Sequence, residues 1–248
     1  MTRPCDMDWV RLPLEGAHNV RELGGYPVSG GGQTRYHRFL RADNLSEITQ
    51  ADAQFLYDYG VRLVLDLRDA REVDERPDVE IGPDVRYASI PLLAFDMSDA
   101  AQVALGDLRE KASYEGLYSM ILEKRTGMAR CFGAIAAAPE GAVLFHCAVG
   151  KDRTGVLAML LMLLAGCDRW DCAANYVQTR HNLMRYDWYE YVWNNGPDDP
   201  HYAFNDSPAN AVEHALAFVE ARGGVVPYLR ECGVSYEEIE AVRARLLN

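Results

Sequence analysis

The sequence lacks any apolar run long enough to cross a membrane. Its longest such run, Val156 to Gly166, has 11 residues, whereas a helix that spans a bilayer needs about 20. The first residues are mixed and charged, unlike the apolar centre of a secretory leader. We therefore expect a buried helix at this run and no stable membrane insertion.

Basic charge is also scarce. The 248-residue chain has 25 Lys and Arg against 37 Asp and Glu, which gives a formal net charge of −12. A general nucleic-acid-binding surface needs an excess of basic residues to neutralise phosphates, so we expect no nucleic-acid partner. Hydrophobic residues make up 49% of the chain and charged residues 25%. These fractions exclude a globally disordered chain.

The cysteines form no Cys-x-x-Cys pair. The six of them are scattered at positions 5, 131, 147, 167, 172 and 232. This arrangement favours reduced thiols over a disulfide framework, so we expect a reducing, cytoplasmic location.

Strand and helix signals alternate along the chain. Short apolar runs predict strands at 61–67, 85–91 and 142–146, and a glycine-rich turn at 29–33 predicts a hairpin between 26–28 and 36–40. Helices are predicted near 49–59, 113–126, 128–138, 154–165, 169–181, 208–222 and 236–247, with a break at Gly127 and a loop at 194–208. We expect an α/β fold: a central, mostly parallel sheet with helices on both faces. We expect a single domain over 1–248, with a core of roughly 15–247 and helical insertions.

The segment His146 to Gly155 lies between a predicted strand and a predicted helix. A loop that enters a helix offers backbone N–H groups without helical partners, and the helix dipole adds about half a positive charge. Together these features make an anion site. Arg153 adds a planar guanidinium group that can donate two hydrogen bonds to a phosphate, and Lys151 adds a second positive charge.

Cys147 begins this loop. A positive environment at a helix start lowers the pKa of a cysteine to about 3.5–7.5, from about 8.5 when free, so we expect a thiolate at neutral pH. A thiolate beside a phosphate-shaped site can attack phosphorus and form a phosphocysteine that water later hydrolyses. Thr154 would stabilise the departing thiolate, and His146 would orient the loop. The other cysteines lack this setting and are expected to be small buried hydrophobes.

The same segment resembles the active-site signature of the cysteine-dependent protein tyrosine phosphatase superfamily, His-Cys-x5-Arg-Ser/Thr. Its Gly-Lys-Asp-Arg-Thr-Gly version is similar to an atypical bacterial and fungal branch of tyrosine/serine, dual-specificity phosphatases, some of which act on phosphoinositides. Residues 19–26, 41–45, 65–68, 228–229 and 233–235 also resemble that branch, with Glu22 where Asp is usual.

The resemblance implies roles for the loop residues. Cys147 would be the nucleophile, and Arg153 would bind the phosphate and the transition state. The phosphoryl oxygens would be bound by the backbone amides of 148–153, which belong to Ala148, Val149, Gly150, Lys151, Asp152 and Arg153. The resemblance implies no metal and no organic cofactor.

The proton donor to the leaving group has several candidates. The Trp-Pro-Asp loop of typical tyrosine phosphatases is missing, but Asp96 or Asp99 could swing in after the strand at 85–91. The atypical branch carries an aspartate in its signature loop, here Asp152, and a carboxyl group beside the bound ester could donate a proton. Asp152 is favoured. Asp66 is a third candidate, with the positioning of Arg68 as its alternative role.

Two groups of residues have open roles. Arg21 and Arg68 either reach the site or pair with buried carboxylates. An aromatic cluster either packs a helix or lines the substrate mouth; it comprises Tyr186, Trp188, Tyr189, Tyr191 and Trp193.

The function that we expect is a phosphatase acting on phosphotyrosine in proteins with broad specificity, including phosphoserine or phosphoinositides. One alternative is a phosphatase of a small metabolite or an inositol phosphate. Another is a phosphate-binding module without catalytic activity.

Overall fold

The computed structural model describes residues 10–93, 114–187 and 209–247. Its sheet has five strands: β1 Arg21–Glu22, β2 Phe39–Ala42, β3 Val61–Asp66, β4 Arg86–Ser89 and β5 Ala142–His146. The strands lie in the order β1-β2-β5-β3-β4. The β1–β2 pair is antiparallel, and the other three pairs are parallel. The prediction of an α/β fold with a mostly parallel sheet is confirmed.

Nine α-helices lie within the described ranges. They are α1 Gln50–Tyr59, α2 Ala70–Glu75, α3 Tyr114–Glu123, α4 Arg125–Ala136, α5 Asp152–Ala165, α6 Arg169–Leu183, α7 Ala209–Glu220, α8 Val225–Cys232 and α9 Tyr236–Leu247. In this part of the chain, no helix is both long enough and apolar enough to span a bilayer.

Alternate residues of the strands feed two hydrophobic clusters on opposite faces of the sheet. Leu63 and Leu65 of β3 belong to the larger cluster, which includes α5 and residues from α3, α4 and α6–α9. Val61 and Val64 belong to the smaller one, which includes Leu56 of α1. Successive strand residues point to opposite faces, so helices cover both sides of the sheet, as predicted.

Helix α1 follows its sequence signals closely. Thr49 and Asp52 form a reciprocal capping box at its start, and Gly60 ends it in the left-handed conformation with φ of 107°. The predicted strands at 61–67, 85–91 and 142–146 correspond to β3, β4 and β5. These local predictions are confirmed.

The hairpin prediction was wrong about which residues pair. The paired strands are β1 and β2, at 21–22 and 39–42. The segment between them is closed by a bridge between Pro27 and Gln33 and by backbone hydrogen bonds of Thr34 to Gly25 and Tyr26. Thr34 explains the difference, because its hydroxyl accepts from the backbone N–H of Tyr26 and donates to the carbonyl oxygen of Leu23. These side-chain bonds close a tight turn at residues that were expected to extend.

The helix break expected at Gly127 lies at Lys124 instead, where ψ is 55°. Gly127 is inside α4, and a Cβ there would lie 3.1 Å from Leu92 and 3.2 Å from the carbonyl oxygen of Pro91. Close packing therefore explains this glycine better than chain termination does. Helix α5 also begins two residues before the predicted start at Thr154, and the predicted loop at 194–208 lies outside the described residues.

Candidate active site

The loop from Cys147 to Lys151 joins the C-terminal end of β5 to the first residue of α5. Strand β5 lies between β2 and β3, so the loop emerges near the middle of the sheet. Among the described residues, no side chain caps the start of α5. The first N–H groups of a helix have no intrahelical acceptor. They are therefore available to an anion, whose charge the helix dipole favours.

Gly150 allows the loop to turn. Its φ is +69°, and a Cβ there would lie 2.5 Å from the carbonyl oxygen of Ala42 in β2. A residue with a side chain would thus combine backbone strain with a collision. The loop is also held from outside, because the side chain of Asn19 donates to the carbonyl oxygen of Val149 at 2.9 Å.

Arg41 of β2 supports the loop from beneath. Its Nη2 donates to the carbonyl oxygen of Gly150 at 2.7 Å, and its Nη1 donates to Asn175 of α6 at 2.6 Å. Burial lowers the pKa of Arg41 to about 10, and this effect outweighs the opposing influence of Cys147. A buried guanidinium therefore adds positive potential near the thiol.

Arg153 is held by Glu72 of α2. Its Nη2 donates to Oε1 at 2.7 Å, and its Nη1 donates to Oε2, so the contact is bidentate. Burial acts to lower the pKa of Arg153, but the hydrogen bonds from Glu72 and the charges of Cys147 and Asp152 outweigh it and raise the pKa. The arginine is therefore charged, and its plane is fixed.

Asp152 accepts a hydrogen bond at Oδ1 from the hydroxyl of Tyr118, at 2.9 Å. Burial raises the pKa of Tyr118, and the charge of Asp152 adds to the effect. The phenol thus stays protonated and remains a donor. Lys151 Nζ lies 3.8 Å from the same oxygen. Asp152 is only partly buried, since its side chain is 27% exposed.

Asp66 belongs to an ion-pair cluster beneath His146. It accepts from Arg68 Nε at 2.9 Å, and Arg68 Nη2 also reaches Asp78 at 2.7 Å. Burial acts to raise the pKa of Asp66, but Arg68 and His146 outweigh it and hold the pKa at about 2. An ionised carboxylate has no proton to give, so this setting favours the role of positioning Arg68.

The same cluster bears on metal binding. Donor atoms of Asp66, Asp78 and His146 lie within 4.8 Å of one another, a spacing that could hold a metal ion. However, the guanidinium of Arg68 already lies against both carboxylates. The donor set therefore fits an ion-pair network better than a metal site.

Thr154 has a free hydroxyl. Its side chain is fully buried, and Oγ1 has no hydrogen-bond partner among the described residues. Buried hydroxyls are usually paired, so this group is available to a species formed at the loop.

A groove of about 590 Å³ opens beside the loop, with Ala148 and Val149 in its wall. Arg68 and Tyr186 also line it, so one member of the predicted aromatic cluster lies at this mouth. The charged lining residues are Asp43, Glu47, Glu72 and Glu75 with Arg68 and Arg76. The other aromatic residues of the cluster, and the acid candidates Asp96 and Asp99, lie outside the described residues.

Arg21 serves a structural role instead. Its guanidinium donates to Asn19, to the carbonyl oxygen of Asn175 and to Thr179. It therefore ties the segment that holds the loop to helix α6. None of its described hydrogen bonds goes to the loop, and the expected pairing with a buried carboxylate is limited to the charge of Asp43, which acts on the guanidinium without a described hydrogen bond.

The remaining described cysteines behave as buried hydrophobes, as predicted. Cys131, Cys167, Cys172 and Cys232 are all free and buried. Burial raises the pKa of Cys131 and of Cys167 to about 12. Their thiols are therefore protonated at neutral pH, while Cys147 alone among the described cysteines lies on the loop that leads into α5.

Sequence reasoning missed Glu72 and Tyr118 and quoted Asn19 and Arg41 only as parts of a resembling pattern. Glu72 lies 81 residues from its partner Arg153, and Tyr118 lies 34 residues from Asp152. One signal was available, because Asp69-x-x-Glu72 is a capping-box pattern that predicts a helix start next to Arg68.

Comparison with known proteins agrees with this geometry. Residues 12–248 match the model of the tyrosine phosphatase family. A tyrosine-protein phosphatase of Nostoc commune is 32% identical over 220 residues, which cover 84% of this chain and 74% of the relative. A putative tyrosine-protein phosphatase of Cupriavidus necator is 28% identical over 181 residues, covering 71% and 65%.

A third relative is the triple specificity protein phosphatase PtpB of Mycobacterium tuberculosis. It is 27% identical over 195 residues, covering 68% of this chain and 69% of the relative. The family match spans all five strands and the whole segment from Cys147 to Arg153. The chain therefore belongs to the tyrosine phosphatase family and is a cysteine-dependent hydrolase of phosphate monoesters.

Proposed function

We propose that this protein dephosphorylates phosphotyrosine in proteins, with a specificity broad enough to include phosphoserine, and that Cys147 is its nucleophile. One observation carries the proposal: Cys147 begins a loop that ends at the uncapped start of α5, and Arg153 is the second residue of that helix. Such a loop surrounds one phosphate group with backbone donors and a fixed guanidinium. The naming of one relative as a triple specificity protein phosphatase supports the broad specificity.

In the first step, the amides of 148–153 and Arg153 bind the phosphoryl oxygens. The Sγ thiolate of Cys147 forms a bond to phosphorus while the bond from phosphorus to the leaving oxygen breaks. Asp152 gives its proton to that oxygen, and the dephosphorylated side chain departs as a neutral hydroxyl. Positive charge from Arg153, Arg41 and the helix start stabilises the negative charge in the transition state.

In the second step, a water molecule attacks the phosphorus of the phosphocysteine. Asp152, now a carboxylate, takes a proton from that water, and the S–P bond breaks. The thiolate of Cys147 leaves, with the free hydroxyl of Thr154 as its hydrogen-bond donor. Inorganic phosphate is released, and the enzyme returns to its starting state.

The groove beside the loop favours a protein substrate over an inositol phosphate. Its lining has four carboxylate residues and two arginines. A polyphosphorylated ring would carry further negative charge toward these carboxylates, which opposes its binding. A phosphotyrosine side chain brings one phosphate to the loop and places its neutral ring in the groove.

A substrate panel with matched variants tests the proposal. The panel contains phosphotyrosine and phosphoserine peptides, phosphoinositides, nucleotides and sugar phosphates. We expect Cys147→Ser to lower turnover of the phosphotyrosine peptide at least about a thousandfold while the Kd for inorganic phosphate is kept. Cys167→Ser, at the far end of α5, should keep turnover. Retained turnover in Cys147→Ser would refute a phosphocysteine. If the unmodified protein binds phosphate but turns over no substrate of the panel, it is a binding module.

Asp152 as the proton donor has its own test. Asp152→Asn should slow an alkyl phosphate much more than an aryl phosphate, because a poor leaving group depends more on protonation. Equal losses on both substrates would exclude Asp152 and direct attention to Asp96 or Asp99.

We propose a cytoplasmic location for this activity. A catalytic thiolate is easily oxidised and works best where thiols are kept reduced. Cell fractionation with activity assays tests this, and activity found only outside the cytoplasm would refute it.

A further inference from the structure

A pocket of about 300 Å³ lies between α6 and the edge strand β1, and it shares no lining residue with the groove beside the active-site loop. Four basic residues line it: Arg11, Arg21, His181 and Arg185. Among the described residues no carboxylate lines this pocket, whereas four line the groove. In a chain with a net charge of −12, such a local excess of positive charge attracts anions.

Arg21 forms the floor of the pocket, because it lines the pocket and its side chain is fully buried. Its terminal nitrogens donate only to neutral acceptors, which belong to Asn19, Asn175 and Thr179. Its Nε has no hydrogen-bond partner among the described residues. Buried charges are usually paired with an opposite charge, so Arg21 keeps both its charge and one N–H group for a ligand.

The surroundings of Arg21 are short of negative charge. Burial lowers the pKa of Arg21, and the charge of Arg41 adds to this effect, against a smaller contribution from Asp43. Arg11 lies opposite Arg21 in an antiparallel bridge, and like charges in this arrangement repel each other. A negative charge in the pocket would offset both the repulsion and the burial of the guanidinium.

Helix α6 supplies the outer wall of the pocket from one of its faces. Gln178, His181, Asn182 and Arg185 follow one another at helical spacing, and all four line the pocket. His181 and Arg185 are exposed, and neither side chain forms an ion pair with another described residue. Both can therefore donate to a ligand without giving up an existing partner.

We propose that this pocket binds a small molecule that carries a phosphate group, at a site separate from the loop that begins at Cys147. A phosphate monoester has a charge of about −1.5 to −2 at neutral pH and three strong acceptor oxygens, and guanidinium groups match its geometry. It can thus accept from Arg11, Arg21 and Arg185 together, whereas a single carboxylate brings less charge and fewer oxygens. The volume is at the lower end of the range for ligand pockets, so the molecule is small.

Binding at this pocket is compatible with an intact active-site loop. Arg21 and Asn182 both donate to Oδ1 of Asn19, whose Nδ2 donates to the carbonyl oxygen of Val149 in the loop. The bonds of Arg21 are made by its Nη1 and Nη2. An anion at Nε therefore leaves this support of the loop in place.

The test is a titration with inorganic phosphate at constant ionic strength, followed by 15N NMR. Amide signals of 178–185 and the ring of His181 report on the pocket, and amide signals of 148–153 report on the loop. We expect saturable shifts in both groups of signals. No shift in α6, or the same shifts in α6 with sodium chloride in place of phosphate, would overturn the inference.

Two variants with the same change of charge localise the site. Arg185→Glu should raise the Kd for phosphate at α6 by at least about tenfold, because a charge-assisted hydrogen bond is lost, and should keep the Kd at the loop. Arg169→Glu is the control, since Arg169 lies on the same helix, pairs with Glu220 and does not line the pocket. An unchanged Kd at α6 in Arg185→Glu would contradict the proposal.

The chemical class of the ligand has its own test in the Cys147→Ser protein, which should not consume a phosphate ester. Glucose 6-phosphate should bind at α6 at least as tightly as inorganic phosphate, and acetate at least about tenfold more weakly. Equal or tighter binding of acetate would refute the assignment to phosphate. A response of α6 without a response of the loop would support this inference and count against the proposed function, so the two failures are distinguishable.

Discussion

Glu72 shows how one side chain can serve two purposes. Its carboxylate accepts hydrogen bonds from both terminal nitrogens of Arg153. It also accepts a hydrogen bond from the backbone N–H of Asp69 at the start of α2. An arginine held in this way presents its remaining N–H groups in a fixed direction. A phosphate entering the loop then binds a preformed donor instead of ordering a flexible side chain.

Glu72→Ala should therefore lower kcat/KM for a phosphotyrosine peptide by about 10- to 100-fold. A hydrogen bond to a charged group contributes about 1.5–3 kcal/mol, and each 1.4 kcal/mol corresponds to tenfold. The control is Glu220→Ala at the end of α7, whose carboxylate pairs with Arg169 and does not line the groove. Steady-state kinetics of the two variants give the comparison. Equal values of kcat/KM would show that Arg153 needs no partner.

The lowered pKa of Asp66 predicts how the free energy of unfolding depends on pH. Its pKa in the folded protein is about 2, below its value of about 3.9 in an unfolded chain. A depressed pKa adds stability above the unfolded value, and this stability is lost as the pH falls through the folded value. The free energy of unfolding should thus decrease by about 2 kcal/mol from this group between pH 5 and pH 2.

Urea unfolding at pH 5 and at pH 2 measures this contribution. Asp66→Asn should lose stability at pH 5 and show a smaller further loss on acidification than the unmodified protein. If the two proteins lose stability in parallel, the carboxylate of Asp66 is not the group responsible.

The sequence predicts the loop residues of the candidate site but few of their partners. Cys147 and Arg153 are adjacent to a strand and a helix that local patterns reveal, and their catalytic roles stay predictions. Glu72, Arg41 and Tyr118 come from other elements, and only the packed sheet brings them to the loop. Such contacts depend on tertiary structure, which local residue patterns do not specify.

At the scale of elements, helix α2 was missed although its start carries a clear signal. Asp69 and Glu72 form a reciprocal capping box, as Thr49 and Asp52 do in α1. Helix α2 has six residues and none of them is buried, so it lacks the apolar periodicity by which helices are recognised. Helix α8 was missed as well, and its eight residues include only three that are buried.

Removing the cap of α1 and removing the cap of α2 should have the same effect on stability but different effects on activity. Asp69→Ala and Thr49→Ala should each lower the free energy of unfolding by about 1 kcal/mol through loss of a cap. Only Asp69→Ala should also lower kcat/KM, because fraying of α2 releases Glu72 from Arg153. Denaturant unfolding and kinetics on both variants check the pair. An equal effect on kcat/KM would mean that the cap acts only through general stability.

At the scale of the whole molecule, distant parts of the chain meet at the sheet and its edges. Asn19 bonds to the loop at Val149, and Arg21 bonds to Asn175 in α6. The backbone N–H of Arg35 donates to the carbonyl oxygen of Leu246 near the end of α9. The sheet itself is shared, since β3 supplies Leu63 and Leu65 to one hydrophobic cluster and Val64 to the other.

A sheet shared by both clusters predicts one cooperative unfolding transition. Neither cluster can lose its strands without exposing the other, so the enthalpy obtained by calorimetry should equal the van't Hoff enthalpy. At about 0.7 kcal/mol per residue near 60 °C, the whole chain should give on the order of 170 kcal/mol. Fluorescence and circular dichroism should report the same midpoint. Two transitions, or a van't Hoff enthalpy near half the calorimetric value, would mean that the two faces of the sheet unfold separately and that the single-domain prediction is wrong.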